Sequence, residues 1–130
     1  MSIWDAIRFW DDKRRQRTDV RVRVHRAFLL NAPGQPECYF MNVLNASPER
    51  EATVTHTWFA TNPPLHFVNA LRPLPARIPA RDQWETWVPI TEVAATIPDV
   101  FRLGRVQLAD DSVIESVERT NVPSAGTVPG

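Results

Sequence analysis

A single cysteine, Cys38, four glycines and one tyrosine stand in a chain of 130 residues. One cysteine excludes an internal disulfide. Glycines at 34, 104, 126 and 130 are too scattered to supply the clustered backbone N–H groups of a GxGxxG turn or a P-loop, which argues against nucleotide-phosphate chemistry of those kinds. No GxSxG occurs, and the serines, histidines and aspartates fall into no catalytic spacing. Long apolar runs are missing too: Arg, Asp or Pro interrupts the chain well before the roughly 18 residues that a bilayer span needs. Nothing after Met1 has the basic start, apolar run and small-residue cleavage site of a secretory signal, so the expected location is cytoplasmic. Excess charge of one sign is absent, because 15 basic and 15 acidic side chains cancel. The chain as a whole therefore sets up no field drawing it to nucleic acid or to a membrane.

What is present is a core's worth of apolar side chains, 43% of the sequence, in a length that suits one domain. Ser2 and Asp5 have the spacing of a capping box ahead of Ile3, Trp4, Ile7 and Trp10. At 100° per residue these four fall in a stripe about 120° wide, predicting a short amphipathic helix. A basic linker runs from it to residue 18, and the period then changes from 3.6 to 2. Val20, Val22 and Val24 take one face of a strand, with Arg21, Arg23 and His25 on the other. Residues 38–45 are apolar on both parities, as a central strand covered on both faces would be.

Further along, residues 52–60 alternate, predicting Thr53, Thr55 and Thr57 outward and Val54, His56 and Trp58 inward. Five prolines between 62 and 79 predict an irregular or edge-like stretch in which only 66–70 could pair. Residues 83–90 alternate again, with Trp84, Thr86 and Val88 on one face and Glu85 and Trp87 on the other. A helical turn or two is expected over 91–97, before Pro98. Asp110, Asp111 and Ser112 join strands at 105–108 and 113–117 as a hairpin. Residues 121–130 read as an extended tail.

About seven short strands divided by turn residues predict an all-β, antiparallel two-sheet sandwich over 19–120. The succession YFMNVLNASPE, ATVTHTWF, RIPARDQWETWVPI and RVQLADDSVIES resembles bacterial sandwich domains of the immunoglobulin and fibronectin type III kind, in a family of short bacterial proteins. That resemblance covers residues 20–118 and implies an immunoglobulin-like fold and no activity. The chain departs from antibody-type domains in having no cysteine pair and no tyrosine corner, its one tyrosine being Tyr39.

His25, His56, His66 and Cys38 are the soft metal-ligand types present, at none of the spacings that metal sites use. His56 is expected as a buried core histidine and Cys38 as a small core hydrophobe; no metal and no cofactor is expected. The sharper signal is charge. Residues 1–26 hold eight basic and four acidic side chains, a local charge of +4. Beside the tryptophan stripe, Arg14, Arg15 and Arg17 suit a partner's groove or an anionic membrane surface. Equally, the helix could cover a sheet of its own sandwich. Trp87 is a further interface candidate. The expected function is non-enzymatic protein binding, as an adaptor or accessory subunit, through Ile3, Trp4, Ile7, Trp10, Arg14, Arg15, Arg17 and Trp87. Nucleic-acid binding through Arg8, Arg14, Arg15, Arg17, Arg21 and Arg23 is the first rival, predicting steep salt dependence.

Overall fold

A computed structural model describes residues 19–93 and 96–117. The amphipathic stripe at Ile3, Trp4, Ile7 and Trp10, the basic residues Arg14, Arg15 and Arg17, and the tail at 121–130 lie outside them. The described chain is mostly β, in two antiparallel sheets around one core. Strands β1 (Val20–Phe28), β2 (Glu37–Asn45) and β6 (Gln83–Pro89) form the first sheet, in the order β1-β2-β6. The second runs β4-β3-β7-β8, from β4 (Leu65–His66), β3 (Ala52–Phe59), β7 (Gly104–Leu108) and β8 (Val113–Glu115). Strand β5 (Ala76–Ile78) also pairs with β3, beside Ala52–Val54, while β4 pairs with Trp58–Phe59. The two short strands thus share one edge of β3. A 3-10 turn at Ile90–Glu92 and a single helical turn, α1 (Val100–Leu103), connect β6 to β7.

The alternations of β1 and β6 have the phase expected. Val20, Val22 and Val24 are buried against Met41, Val43 and Tyr39, and Thr86 and Val88 are buried beside them. Strand β2 is central to its sheet and buried along most of its length, which is why its sequence is apolar on both parities. Tyr39 and Phe59 meet edge to face across the sandwich, with ring centroids 5.8 Å apart. Each is fully buried, which removes enough apolar surface to stabilise the fold by roughly 1.5–3 kcal/mol per side chain. The Tyr39 hydroxyl accepts the Ile97 N–H at 3.2 Å and so avoids being an unpaired polar group in the core.

Strand β3 departs from its predicted phase. Val54 pairs with Leu108 but His56 with Gln107, so Thr55 is the extra residue of a β-bulge. Past it the faces exchange. Thr57 and Phe59 are buried, His56 is exposed, and Trp58 lies partly exposed with its ring stacked on His66 at 5.4 Å. His56 is therefore not a core histidine. The inward Thr57 hydroxyl satisfies itself by donating to Phe67 O at 2.8 Å. The helical turns expected over 91–97 are also displaced: the 3-10 turn ends at Glu92, and α1 comes after Pro98. The predicted hairpin is present, with β7 and β8 antiparallel and Asp111 in the left-handed region at φ 71°.

One side of the sandwich is closed and the other is not. Val22 and Ser116 form a parallel bridge, and the Val117 N–H donates to Val22 O at 3.2 Å, linking the β1 edge to the chain leaving β8. The opposite side, between β6 and the shared β4/β5 edge, has no such ladder among the described residues. None of the described helices is long and apolar enough to cross a membrane.

Candidate interaction edge

The hydrogen-bond phase of β6 follows from its neighbours. Asn45 N–H donates to Asp82 O at 2.9 Å, so even-numbered residues of β6 direct their backbone groups toward β2. Gln83, Glu85, Trp87 and Pro89 then point theirs away from the sheet, at its open edge. The structure bears this out at Trp87, whose carbonyl accepts from Asn69 Nδ2 at 3.1 Å. Gln83 N–H is taken by Asp82 Oδ1 at 2.8 Å. Proline at position 89 has no N–H to leave unpaired, the usual condition for proline in an edge strand. There remain the Glu85 N–H and C=O, the Trp87 N–H and the Gln83 C=O, for which the described residues offer no partner. These four groups form a short, open strand edge.

A strap built from residues 65–72 crosses from β4 toward the upper half of this edge. Its turn is made by Asn69, which accepts the Leu71 N–H on Oδ1 at 2.8 Å and the Arg72 N–H on its carbonyl at 2.9 Å. Asn69 thus shapes the strap and clamps it to β6 with one side chain. Arg72 adds a second hold, its guanidinium 5.0 Å from the centroid of the Trp87 ring, a cation–π contact. Val68 and Leu71 remain exposed at the tip of the strap, at 66% and 70%. Isolated exposed apolar residues are ordinary, but two on a five-residue turn beside an open edge form a local feature. Between strap and strand lies a half-open groove of about 560 Å³, bordered by Leu65–Ala70, Trp87–Pro89 and Glu92.

Trp87 belongs at the same time to the outer face of the first sheet. Pairing across β1, β2 and β6 places His25, Phe40 and Trp87 in one row. The rings stand side by side: His25 stacks on Phe40 at 5.2 Å, and Phe40 meets Trp87 at 5.7 Å. His25 Nε2 also lies 4.0 Å from Glu85 Oε2. The next row holds Ala27, Cys38 and Pro89, and Cys38 is fully buried. Burial pushes its thiol pKa up, and the carboxylates of Glu92 and Glu37 push it further, so it is a poor nucleophile at neutral pH.

Of the interface residues read from the sequence, the described structure holds Trp87 alone, and places it where strap, edge and aromatic row meet. The three histidines and Cys38 are not brought together, and no metal-sized group of His, Cys, Asp or Glu forms among the described residues. Arg21 pairs with Asp19 at 3.2 Å, and Arg26 with Glu37 at 3.0 Å, leaving Arg23 outward on the same face. Sequence reasoning passed over Asn69, Arg72, Val68 and Leu71, because the prolines around them mark only irregular chain. An Asn three residues before an Arg–Pro pair was the one available turn signal.

Comparison with protein-family models, curated proteins and solved structures finds no match. The functional reading therefore rests on the geometry of the edge.

Proposed function

We propose that this protein is a non-enzymatic protein-binding module that accepts an extended segment of its partner along the open edge of β6. The observation that carries this reading is the set of backbone groups at Gln83, Glu85 and Trp87 that have no partner among the described residues, beside a groove and two exposed apolar side chains. An added strand running antiparallel to β6 would exchange two hydrogen bonds with Glu85 and receive a third from the Trp87 N–H. One of its side chains would enter the groove between Phe67 and Val88, and another would cover Val68 or Leu71. Backbone pairing supplies affinity in such complexes, and the pockets for alternate side chains supply selectivity. The immunoglobulin-like assignment is part of the same proposal, supported by two antiparallel sheets of three and five strands around one core.

Panning a library of displayed random peptides against the protein tests this reading. Enriched peptides should carry apolar residues at alternate positions, and binding should fall at least tenfold for the Glu85→Pro variant. Proline at that position removes an edge-facing N–H and no ladder bond, so the fold is expected to survive. Failure to enrich any peptide, or equal binding by the variant, would sink the proposal.

A further inference from the structure

Strand β1 has an edge of its own. The Ala46 N–H donates to Asp19 O at 2.7 Å and the Leu29 N–H to Pro36 O at 2.8 Å, so odd-numbered residues of β1 direct their backbone groups toward β2. Val20, Val22, Val24, Arg26 and Phe28 direct theirs to the opposite side. There the Val22 carbonyl accepts the Val117 N–H at 3.2 Å, in the parallel bridge that joins Val22 to Ser116. Past that bridge, the N–H and C=O groups of Val24, Arg26 and Phe28 have no partner among the described residues. A bare edge of this length is a pairing site.

The bridge itself singles out what can occupy it, because the chain leaves Val117 already paired with β1 and running in the same direction. It continues as Glu118, Arg119, Thr120, Asn121, Val122 and Pro123. Carrying the same parallel register forward brings the Val24 N–H to Val117 O and the Arg119 N–H to Val24 O. The next step brings the Arg26 N–H to Arg119 O and the Asn121 N–H to Arg26 O, after which the Phe28 N–H meets Asn121 O. At the following donor position stands Pro123, which has no N–H to give. The ladder therefore runs out where β1 ends. Lengths agree as well: Val24 to Phe28 and Glu118 to Val122 are each four strand steps, about 13 Å.

Side chains fit the same register. Ser116 and Val22 are both buried, so strand alternation sets Glu118, Thr120 and Val122 level with Val24, Arg26 and Phe28 on one face. Val122 comes beside Phe28, an aromatic side chain that is 60% exposed among the described residues, and Glu118 comes diagonal to Arg26. Val117, Thr120 and Val122 are β-branched, the type that favours strands.

We infer that residues 118–122 extend the chain beyond β8 as a parallel strand on the edge of β1. The occupant of that edge is this chain's own C-terminal segment, which withdraws β1 from pairing with any partner. The inference stands whether or not β6 accepts a peptide.

Amide hydrogen exchange in the full chain tests it. Val24, Arg26 and Phe28 should exchange slowly, like Arg23 and His25 that bond to β2, and at rates independent of protein concentration. Arg119→Pro with Asn121→Pro removes the two N–H groups directed at Val24 and Arg26, and should speed exchange at Arg26 and Phe28 about tenfold or more while Arg23 and His25 keep their rates. Thr120→Pro removes an N–H directed away from β1 and should leave all five slow. Fast exchange at Arg26 and Phe28 in the parent chain, or an equal response to the two kinds of proline variant, would overturn the inference. So would protection that grows with protein concentration, which assigns the edge to a second copy.

Discussion

Gly104 and Ser116 are joined in both directions. The Gly104 N–H donates to Ser116 Oγ at 2.9 Å, and the Ser116 N–H donates to Gly104 O at 2.9 Å. The same hydroxyl donates to Phe101 O at 2.8 Å, tying α1 to the seam, and Ser116 bridges to Val22 on the neighbouring sheet. The closed side of the sandwich therefore converges on this pair. A Cβ on Gly104 would lie 2.5 Å from Val24 Cγ2 and 3.2 Å from the Ser116 side chain.

Gly104→Ala should accordingly lower stability by about 1–3 kcal/mol, the usual cost of overpacking a core. Ser116→Ala should cost a similar amount, about 1–3 kcal/mol, because it leaves a buried N–H without its acceptor. Urea midpoints of the two variants check both values. A midpoint unchanged in either would mean that the seam is not closed as described.

Asn45 supports the other end of the sandwich. Its fully buried amide donates to Arg50 O, Ile78 O and Pro79 O at 2.7, 3.0 and 3.2 Å, and its Oδ1 accepts the Ser47 N–H. Asn45→Leu should cost about 3 kcal/mol, since it strands several buried backbone groups. Asn45→Asp should be at least as damaging at neutral pH and should recover in part near pH 4. A carboxylate among carbonyls has its folded pKa raised, so the unfolded state holds fewer protons and stability grows as pH falls. Equal thermal midpoints at the two pH values would contradict this.

Asp110 has the opposite sign. Its carboxyl pKa is lowered, first by the hydrogen bond from the Ser112 hydroxyl and then by that from the Ser112 N–H, against a smaller opposing effect of burial. The unfolded chain therefore binds the proton more readily. The stabilisation is present above the unfolded value of about 3.9 and is lost as pH falls through the lower folded value. For so exposed a group the effect is small. In a stability titration from pH 5 to pH 2, Asp110→Asn should have a shallower acid limb than the parent, and coincident curves would refute the assignment.

Cys38 should resist thiol reagents at neutral pH for as long as the protein is folded, since it is buried and its thiol pKa is raised. Labelling should follow unfolding as urea is added. Rapid labelling in native buffer would show that the row at Ala27, Cys38 and Pro89 is open.

How far the fold could be read in advance depends on what each segment's neighbours do. Strands β1 and β6 were legible because one face of each meets the same flat core for its whole length, so period 2 persists, and β2 was legible because a central strand is apolar on both parities. Strand β3 looked just as regular, with Thr at 53, 55 and 57. Its bulge at Thr55 is set by the register with β7, fifty residues away, which no local pattern encodes. The hairpin at Asp110–Ser112 is a local turn and was found. The open edge was half legible: the alternation placed Trp87 on the outer side, but the strap that clamps to its carbonyl lies in chain whose prolines signal only irregularity. Asn69 and Arg72 gain their roles from tertiary contacts with β6 and carry no periodic mark.

Amide hydrogen exchange at Glu85 and Trp87, in the free protein and with a selected peptide bound, tests the central claim most directly. The account predicts fast exchange at both in the free protein, slow exchange at Trp84, Thr86 and Val88, and protection of Glu85 and Trp87 once the peptide is bound. Protection of Glu85 and Trp87 in the free protein, or fast exchange that persists in the complex, would contradict the assignment of β6 as the binding edge.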